Sequence, residues 1–135
     1  MGNAKLRAER PLSPHLQIYR PMLTMMMSIA HRLSGAALAI GFLLLAWWLV
    51  AIAVGPEPYA TVSHFFGSIA GRMLLFLFSW ALIHHMLGGI RHLIWDTGHG
   101  LDRTSIEIFA WATIIGSTTL TVLLWVVGYW LKGAY

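Results

Sequence analysis

The chain has 135 residues, of which 58% are hydrophobic and only 10% are charged, whereas a typical soluble domain carries about 25% charged residues. This composition excludes an ordinary soluble globular domain and predicts a small all-α integral membrane protein. The length accommodates about three spans of about 20 residues each and leaves no room for a soluble catalytic domain. The net charge of +4 comes from scattered Lys and Arg residues, a pattern typical of membrane topology and not of nucleic-acid binding. Cysteine is absent, which excludes iron–sulfur ligation and disulfides within this chain.

Three transmembrane helices are predicted in chain order. Residues 33–54 carry no charge over 22 positions, which is long enough to cross the hydrocarbon layer. Gly and Pro residues directly after this stretch predict its end. The predicted segments are an N-terminal segment 1–21, helices 22–54, 63–95 and 105–131, loops 55–62 and 96–104, and a tail 132–135.

The distribution of Lys and Arg predicts the orientation of the spans. Five basic residues lie before or at the start of the first helix, whereas the loop 55–62 contains Glu57 and neither Lys nor Arg. Because cytoplasmic loops of membrane proteins are enriched in Lys and Arg, we expect a cytoplasmic N-terminus and an external C-terminus. Arg72 and Lys132 oppose this orientation only weakly. The chain is therefore predicted to be a multi-pass protein of a membrane that borders the cytoplasm, which in a bacterium is the inner membrane.

One polar cluster, formed by Ser28, His31 and Arg32, lies near the start of the first helix. Ser28 and Arg32 are four residues apart and therefore share a helix face, about 9 to 15 Å beyond the helix start. A hydroxyl and a guanidinium are the donors that a small carbonyl ligand or a carboxylate would need. The alternative is that Arg32 extends its side chain to the membrane surface without binding a ligand.

A second polar cluster lies on the second helix: His84, His85, Arg91 and His92. Gly88 and Gly89 follow His85 at the spacings that leave a bare surface beside its imidazole. A flat macrocycle could rest there with His85 on its iron. The alternative is that the glycines form a helix-packing patch and the histidines bond to other spans.

Two histidines of this one chain are not expected to hold such a macrocycle together. His31 and His85 lie on antiparallel neighbours at somewhat different predicted depths, and three spans form a thin wall around a porphyrin. A second histidine from a partner helix is the simpler arrangement. Ionisable residues within spans also occur in proton-translocating transporters and channels, and a purely structural scaffold is a further alternative. The absence of a mid-membrane carboxylate disfavours an ion pump.

The sequence resembles the cytochrome b membrane-anchor subunit of succinate dehydrogenase, respiratory complex II. Residues 10–16 read Arg-Pro-Leu-Ser-Pro-His-Leu, and residues 28–35 read Ser-Ile-Ala-His-Arg-Leu-Ser-Gly. The stretch from residue 85 reads His-Met-Leu-Gly-Gly-Ile-Arg-His-Leu-Ile-Trp-Asp-Thr-Gly. The family pattern has an Arg-Pro opening, then Ser-x-x-His-Arg-x-Ser or Thr, and then His-x-x-x-Gly-x-Arg-His followed by Asp-x-Gly. The residues of both motifs resemble those of alphaproteobacterial and mitochondrial members of the family.

The resemblance implies a haem b shared with a second membrane-anchor subunit, which forms a helix bundle with this chain. The axial iron ligand of the family falls on His85, and the partner supplies the other histidine. Position 84, often aromatic in the family, is His84 here. Neighbours on a helix point about 100° apart, so only one of the two faces the haem, and the glycine spacing favours His85. The implied quinone-binding residues are Ser28, Arg32 and Asp96. The residues implied near the haem propionates are His31, Arg32 and His92.

The implied function is electron transfer from succinate to ubiquinone in the respiratory chain and the tricarboxylic acid cycle. A partner flavoprotein carrying FAD would oxidise succinate, and a partner iron–sulfur subunit would pass the electrons to this membrane anchor. The chain would then contribute a quinone site to an oxidoreductase without holding a catalytic residue of its own. The alternative within the family is the anchor of a quinol:fumarate reductase, which runs the reaction in reverse.

Overall fold

The computed structural model describes residues 19–133, which form four α-helices. These are α1 (Leu23–Val54), α2 (Pro56–Gly67), α3 (Ile69–Asp96) and α4 (Arg103–Gly133). The helices α1, α3 and α4 are each long and apolar enough to cross a membrane, which confirms the all-α architecture with three candidate spans. The predicted N-terminal segment 1–21 lies, except for its last residues, outside the described part of the chain.

The connection between the first two spans is helical, although residues 55–62 were expected to form a loop. Pro56 is the first residue of α2, and Pro58 also lies in its first turn. Proline is tolerated there because the first turn of a helix has no partner for its N–H groups. Gly55 has φ of +142°, a conformation that only glycine adopts readily and that turns the chain sharply between α1 and α2. The residues interpreted as helix breakers therefore begin a helix.

The predicted second helix, 63–95, is two helices that meet at Ser68. Ser68 is extended, with φ of −69° and ψ of 164°, and its hydroxyl oxygen accepts a hydrogen bond of 3.1 Å from the Gly71 amide. This is the usual way in which a serine caps a helix N-terminus. A Cβ atom on Gly71 would overlap the carbonyl oxygen of Phe65. Glycine at this position therefore allows the backbones of α2 and α3 to touch.

The helix α3 lies between α1 and α4 and packs against both, while α1 and α4 contact each other less extensively. Its buried face repeats every three or four residues and consists of Ala81, His84, Gly88 and Arg91. The buried positions of α4 follow the same spacing and are Ala110, Thr113, Ser117 and Thr121. Most other apolar side chains of the three long helices are exposed, as expected for surfaces that face lipid or partner subunits.

The buried hydroxyl groups of α4 are satisfied within their own helix. Thr113 donates a hydrogen bond of 2.7 Å to the carbonyl oxygen of Phe109, and Thr121 donates one of 2.7 Å to that of Ser117. Ser117 in turn donates to the carbonyl oxygen of Ile114 at 3.0 Å. Because the hydroxyl hydrogen of Ser117 is used within the helix, its oxygen can only accept in the contact with His84 of α3.

The helix α4 begins at Arg103, two residues before the predicted start. Asp102 caps it by accepting a hydrogen bond of 2.9 Å from the Ser105 amide, and hydrogen bonding from Ser105 lowers the pKa of the Asp102 carboxyl group. The preceding turn contains Gly98 and Gly100, with φ of +79° and +71°. The Trp95 indole N–H donates to the Gly100 carbonyl oxygen at 3.1 Å, which ties the turn to the end of α3.

Candidate functional site

The centre of the candidate site is a pair of stacked histidine rings, His31 on α1 and His85 on α3. Their planes differ by 5° and their centroids are 4.0 Å apart. A Cβ atom added to Gly35 would lie only 3.0 Å from Cε1 of His85, so this glycine allows α1 to approach the ring closely. The prediction that the two histidines lie at different depths is wrong, because helices of opposite direction bring them to the same level. Rings stacked at this distance leave no space for a macrocycle between them.

The hydrogen bonds of His85 define its protonation. Nδ1 lies 3.1 Å from the carbonyl oxygen of His31 and 3.1 Å from the hydroxyl oxygen of Ser34. Ser34 donates its own hydrogen to the same carbonyl at 2.8 Å, and a carbonyl oxygen only accepts. Nδ1 of His85 therefore carries a hydrogen, which leaves Nε2 as the ring nitrogen that can present a lone pair to a metal ion. Metal-binding histidines are usually fixed in this way, by an N–H donated to a carbonyl or carboxylate. The environment of His85 is therefore suited to a histidine that binds iron.

Ser34 is a site residue that the sequence reasoning did not single out. It is 4% exposed and contacts both the His85 ring and the His31 carbonyl. Ser34 fills the final Ser or Thr position of the family pattern, three residues after His31 on the same side of α1, and this is the signal that could have identified it. Ser34 orients the His85 imidazole and reinforces its tautomer.

His84 points away from this site, into the interface between α3 and α4. It is 2% exposed, and its Nδ1 lies 3.3 Å from the hydroxyl oxygen of Ser117. Because Ser117 donates its hydrogen within α4, His84 is the donor in this contact. Its ring also stacks on Trp80, with centroids 4.8 Å apart. The two adjacent histidines thus contact different helices, and only His85 faces α1.

The two glycines after His85 have different surroundings. Gly88 is buried in the interface with α1, where an added Cβ atom would overlap Nδ1 of His31. Around Gly89, no atom lies within 4 Å of the corresponding position. The prediction that both glycines leave a bare surface is therefore wrong for Gly88, because His31 from the neighbouring helix occupies that space. Only Gly89 leaves an open patch on the α3 surface.

Alanine at these two positions is expected to have opposite effects on stability. In Gly88→Ala the added methyl group must displace the His31 ring from its stack on His85, and overpacking of this kind costs about 1–3 kcal/mol. Gly89→Ala adds a methyl group in open space and removes a flexible residue, which should stabilise α3 by up to about 1 kcal/mol. Thermal unfolding of the two purified variants measures the difference. Equal melting temperatures would contradict the packing of His31 on Gly88.

The remaining members of the second cluster lie toward the end of α3. The His92 ring is exposed and its centroid lies 5.3 Å from that of His31. Arg91 is 5% exposed, and its guanidinium carbon lies 5.0 Å from the centroid of the Trp95 ring. His31 therefore lies between His85 and His92. Within residues 19–133, no group of three or more His, Cys, Asp or Glu side chains is arranged to hold a metal ion.

The predicted quinone-binding residues lie at the same end of the bundle as the histidines. Ser28 is half-buried and Arg32 is exposed, one turn apart on α1. Exposure keeps the Arg32 guanidinium open to a ligand or a partner. Asp96 is the exposed last residue of α3, and within the described chain no ion pair joins it to Arg32. The structure thus brings His31, His85 and His92 together, and among residues 19–133 it shows no hydrogen bond between Asp96 and Ser28 or Arg32.

Comparison with known proteins identifies relatives over nearly the whole chain. A family model described as succinate dehydrogenase/fumarate reductase transmembrane subunit matches residues 7–124. The succinate dehydrogenase cytochrome b556 subunit of Paracoccus denitrificans is 43% identical over 117 residues, which cover 87% of this chain and 90% of the relative. The corresponding subunit of Rickettsia conorii is 37% identical over 118 residues, with coverage of 87% and 92%. The succinate dehydrogenase cytochrome b560 subunit of Marchantia polymorpha is 32% identical, with coverage of 95% and 97%.

Proposed function

The chain belongs to the succinate dehydrogenase/fumarate reductase transmembrane subunit family, as a cytochrome b subunit of succinate dehydrogenase, and we propose that it binds haem b and ubiquinone. It is a multi-pass protein of the inner membrane and part of an oxidoreductase complex. The proposal rests chiefly on one observation, the fixed tautomer of His85. The relatives are named for succinate dehydrogenase, which favours succinate oxidation over fumarate reduction as the physiological direction.

In this proposal, Nε2 of His85 would bind the haem iron. The hydrogen bond from Nδ1 to the His31 carbonyl keeps the ring in the tautomer that ligation requires and raises its basicity. The stacked His31 ring closes the face of His85 that points toward α1. A histidine of the second membrane-anchor subunit would supply the other ligand, since the one histidine stacked on His85, His31, leaves no space for a macrocycle between the two rings. The bound haem supplies one-electron transfer chemistry.

Three further residues are assigned to the edge of the haem site. His31, Arg32 and His92 lie at the end of the bundle where α1 begins and α3 ends. Cationic or hydrogen-bonding side chains at that level are suited to the haem propionates. With the N-terminus on the cytoplasmic side, as the distribution of Lys and Arg favours, this end faces the cytoplasm. The partner flavoprotein with FAD and the partner iron–sulfur subunit would dock there.

The quinone site is assigned to Ser28 and Arg32, with Asp96 as a further polar member. Reduction of ubiquinone adds two electrons and two protons, and negative charge develops on the ring oxygens before the protons arrive. The Ser28 hydroxyl and the Arg32 guanidinium donate hydrogen bonds to those oxygens. Donors that are already in place stabilise the developing charge most effectively in a site with little water. The exposed position of Arg32 supports a role in binding a molecule from outside this chain.

A difference spectrum of the complex tests the proposed function. The complex is purified from its native membranes in mild detergent through a tag on this chain, and the air-oxidised spectrum is subtracted from the succinate-reduced one. We expect a b-type haem signal that succinate elicits, because the electrons pass from the partner subunits to this anchor. An intact complex without any haem would overturn the haem assignment and leave a scaffold function.

A further inference from the structure

Arg91 carries a permanent positive charge for which the described part of the chain supplies no counter-ion. Its side chain is only 5% exposed, and its Nε is buried without a hydrogen-bond partner among residues 19–133. Nε2 of His84 and Nδ1 of His31 also lack partners, but an imidazole ring can be neutral. A guanidinium cannot lose its proton, and a buried charge is costly unless an opposite charge pairs with it. Arg91 therefore has the greatest need of a partner among these three buried groups.

The indole ring of Trp95, one turn later on α3, stabilises this guanidinium only in part. The guanidinium carbon lies 5.0 Å from the ring centroid, which is within the distance of about 6 Å that a cation–π interaction allows. Trp95 is itself fixed by the hydrogen bond from its indole N–H to the Gly100 carbonyl oxygen. An aromatic face attracts a cation but offers no oxygen to its N–H groups, so Trp95 does not replace an anion.

The carboxylate groups of this chain do not pair with Arg91 in the described structure. Three of them are exposed near this end of the bundle: Asp96, Asp102 and Glu107. Among residues 19–133, Arg91 forms no ion pair with any of them. Glu57 lies in α2, at the opposite end, and Glu9, outside the described residues, is adjacent in sequence to Arg10. Because ionisable groups within membrane spans usually pair with another group, we expect the counter-ion of Arg91 to come from outside this chain.

The position of Arg91 on α3 separates it from the proposed haem. Since successive residues turn by about 100°, Arg91 points about 120° away from His85 and about 160° away from Gly89. It shares a face with His84, two turns earlier, and the His84 ring contacts Ser117 of α4. A propionate of a haem that lies against His85 and Gly89 would therefore be on the other side of α3.

We propose that an Asp or Glu side chain of a partner subunit binds the Arg91 guanidinium at the end of the bundle where α3 ends. Arg91 lies about 7.5 Å before that end, which is within reach of a side chain that docks from the membrane surface. The two oxygens of a carboxylate match paired N–H donors of a guanidinium. The partner would also cover the small exposed part of Arg91 and exclude water from the ion pair. This proposal requires the multi-subunit complex but neither haem binding nor quinone binding.

A density map of the purified complex tests the proposed ion pair. We expect the carboxylate oxygens of an Asp or Glu residue of a partner subunit within hydrogen-bond distance of the Arg91 guanidinium. A haem propionate, Glu9, Asp96 or water molecules alone beside this guanidinium would overturn the proposal. The haem assignment is judged separately from the absorbance spectrum of the same sample, so the failure of one proposal is distinguishable from the failure of the other.

Substitutions on both sides of the ion pair provide a second test. Native mass spectrometry of the diluted complex measures the amount of that partner subunit retained per tagged chain. We expect Arg91→Gln to lower its affinity at least about tenfold, as loss of a hydrogen bond to a charged group typically does, and Arg91→Lys to restore part of it. Arg103→Gln removes an exposed arginine at the same end of the bundle and should leave the affinity unchanged.

A double variant shows whether the two groups act on each other. The partner carboxylate that the map identifies is replaced by its amide, alone and together with Arg91→Gln. We expect the single variants to lose similar affinity and the double variant to lose little more, because both substitutions remove the same ion pair. Fully additive losses, or an Arg91→Gln complex as stable as the wild type, would overturn the proposal.

Discussion

Replacing His85 by alanine is expected to remove haem from the assembled complex and lower the ratio of haem to FAD at least about tenfold. Loss of groups that merely orient a metal ligand already costs about 10- to 100-fold in affinity, and this variant removes the ligand itself. His84→Phe is expected to retain the haem. Its ring keeps the stack on Trp80, and the lost contact with Ser117 lies in the interface between α3 and α4.

The haem content is measured from the absorbance of the reduced complex, with FAD as the internal standard for assembly. Oxidation of succinate with a soluble artificial acceptor shows whether the partner subunits remain active in each variant. The opposite pattern, with haem lost in His84→Phe and retained in His85→Ala, would transfer the ligand to His84. Such a result would also mean that α3 is rotated in the complex by about 100° from the orientation described here.

Replacing Arg32 by alanine is expected to lower quinone reduction by about 100-fold while succinate oxidation with a soluble acceptor continues. The variant removes a charged donor to the quinone oxygens, and loss of one such donor typically costs about 100- to 1,000-fold in rate. The matched control is Arg103→Ala, which removes an exposed arginine at the same end of the bundle. Steady-state assays with ubiquinone and with the artificial acceptor give the two rates. Equal loss of both rates in Arg32→Ala would indicate an assembly defect and contradict a role in quinone binding.

The sequence predicts the three long helices because each contains an uninterrupted apolar stretch of the length that a bilayer requires. It does not predict α2, because proline residues such as Pro56 and Pro58 can either end a helix or begin one. Within a helix proline breaks hydrogen bonds, but in the first turn it begins one. Here the two prolines begin a helix because Gly55, with φ of +142°, ends α1 and turns the chain directly before Pro56. A backbone angle of this kind is a property of the folded chain and not of the residue type alone.

For the candidate site, sequence spacing predicts which side chains share a helix face but not which neighbouring helix covers that face. Spacing along α3 places His84 and His85 on different faces, because successive residues point about 100° apart. It does not reveal which neighbouring helix covers each face. Spacing alone therefore indicates an open surface at Gly88, although His31 fills the space beside it. Ser34 escapes prediction for the same reason, since a serine becomes a site residue only when a second helix brings a histidine to it.

The hydroxyl groups of α4 have a consequence for the biogenesis of the protein. The Trp125 indole N–H of α4 donates to the hydroxyl oxygen of Ser79 on α3 at 3.4 Å, but Thr113, Ser117 and Thr121 each donate to a carbonyl oxygen of α4 itself. The buried hydroxyl groups of this helix therefore need no neighbour when it leaves the insertion machinery. It can enter the lipid as an independent unit and associate with α3 afterwards. The helix α3 depends on a neighbour for one buried donor, because the ring N–H of His84 donates to the hydroxyl oxygen of Ser117 on α4. The helix α4, which is synthesised after α3, therefore supplies the hydrogen-bond acceptor that α3 lacks, which favours docking of α4 onto α3 as the step that completes this pair of helices.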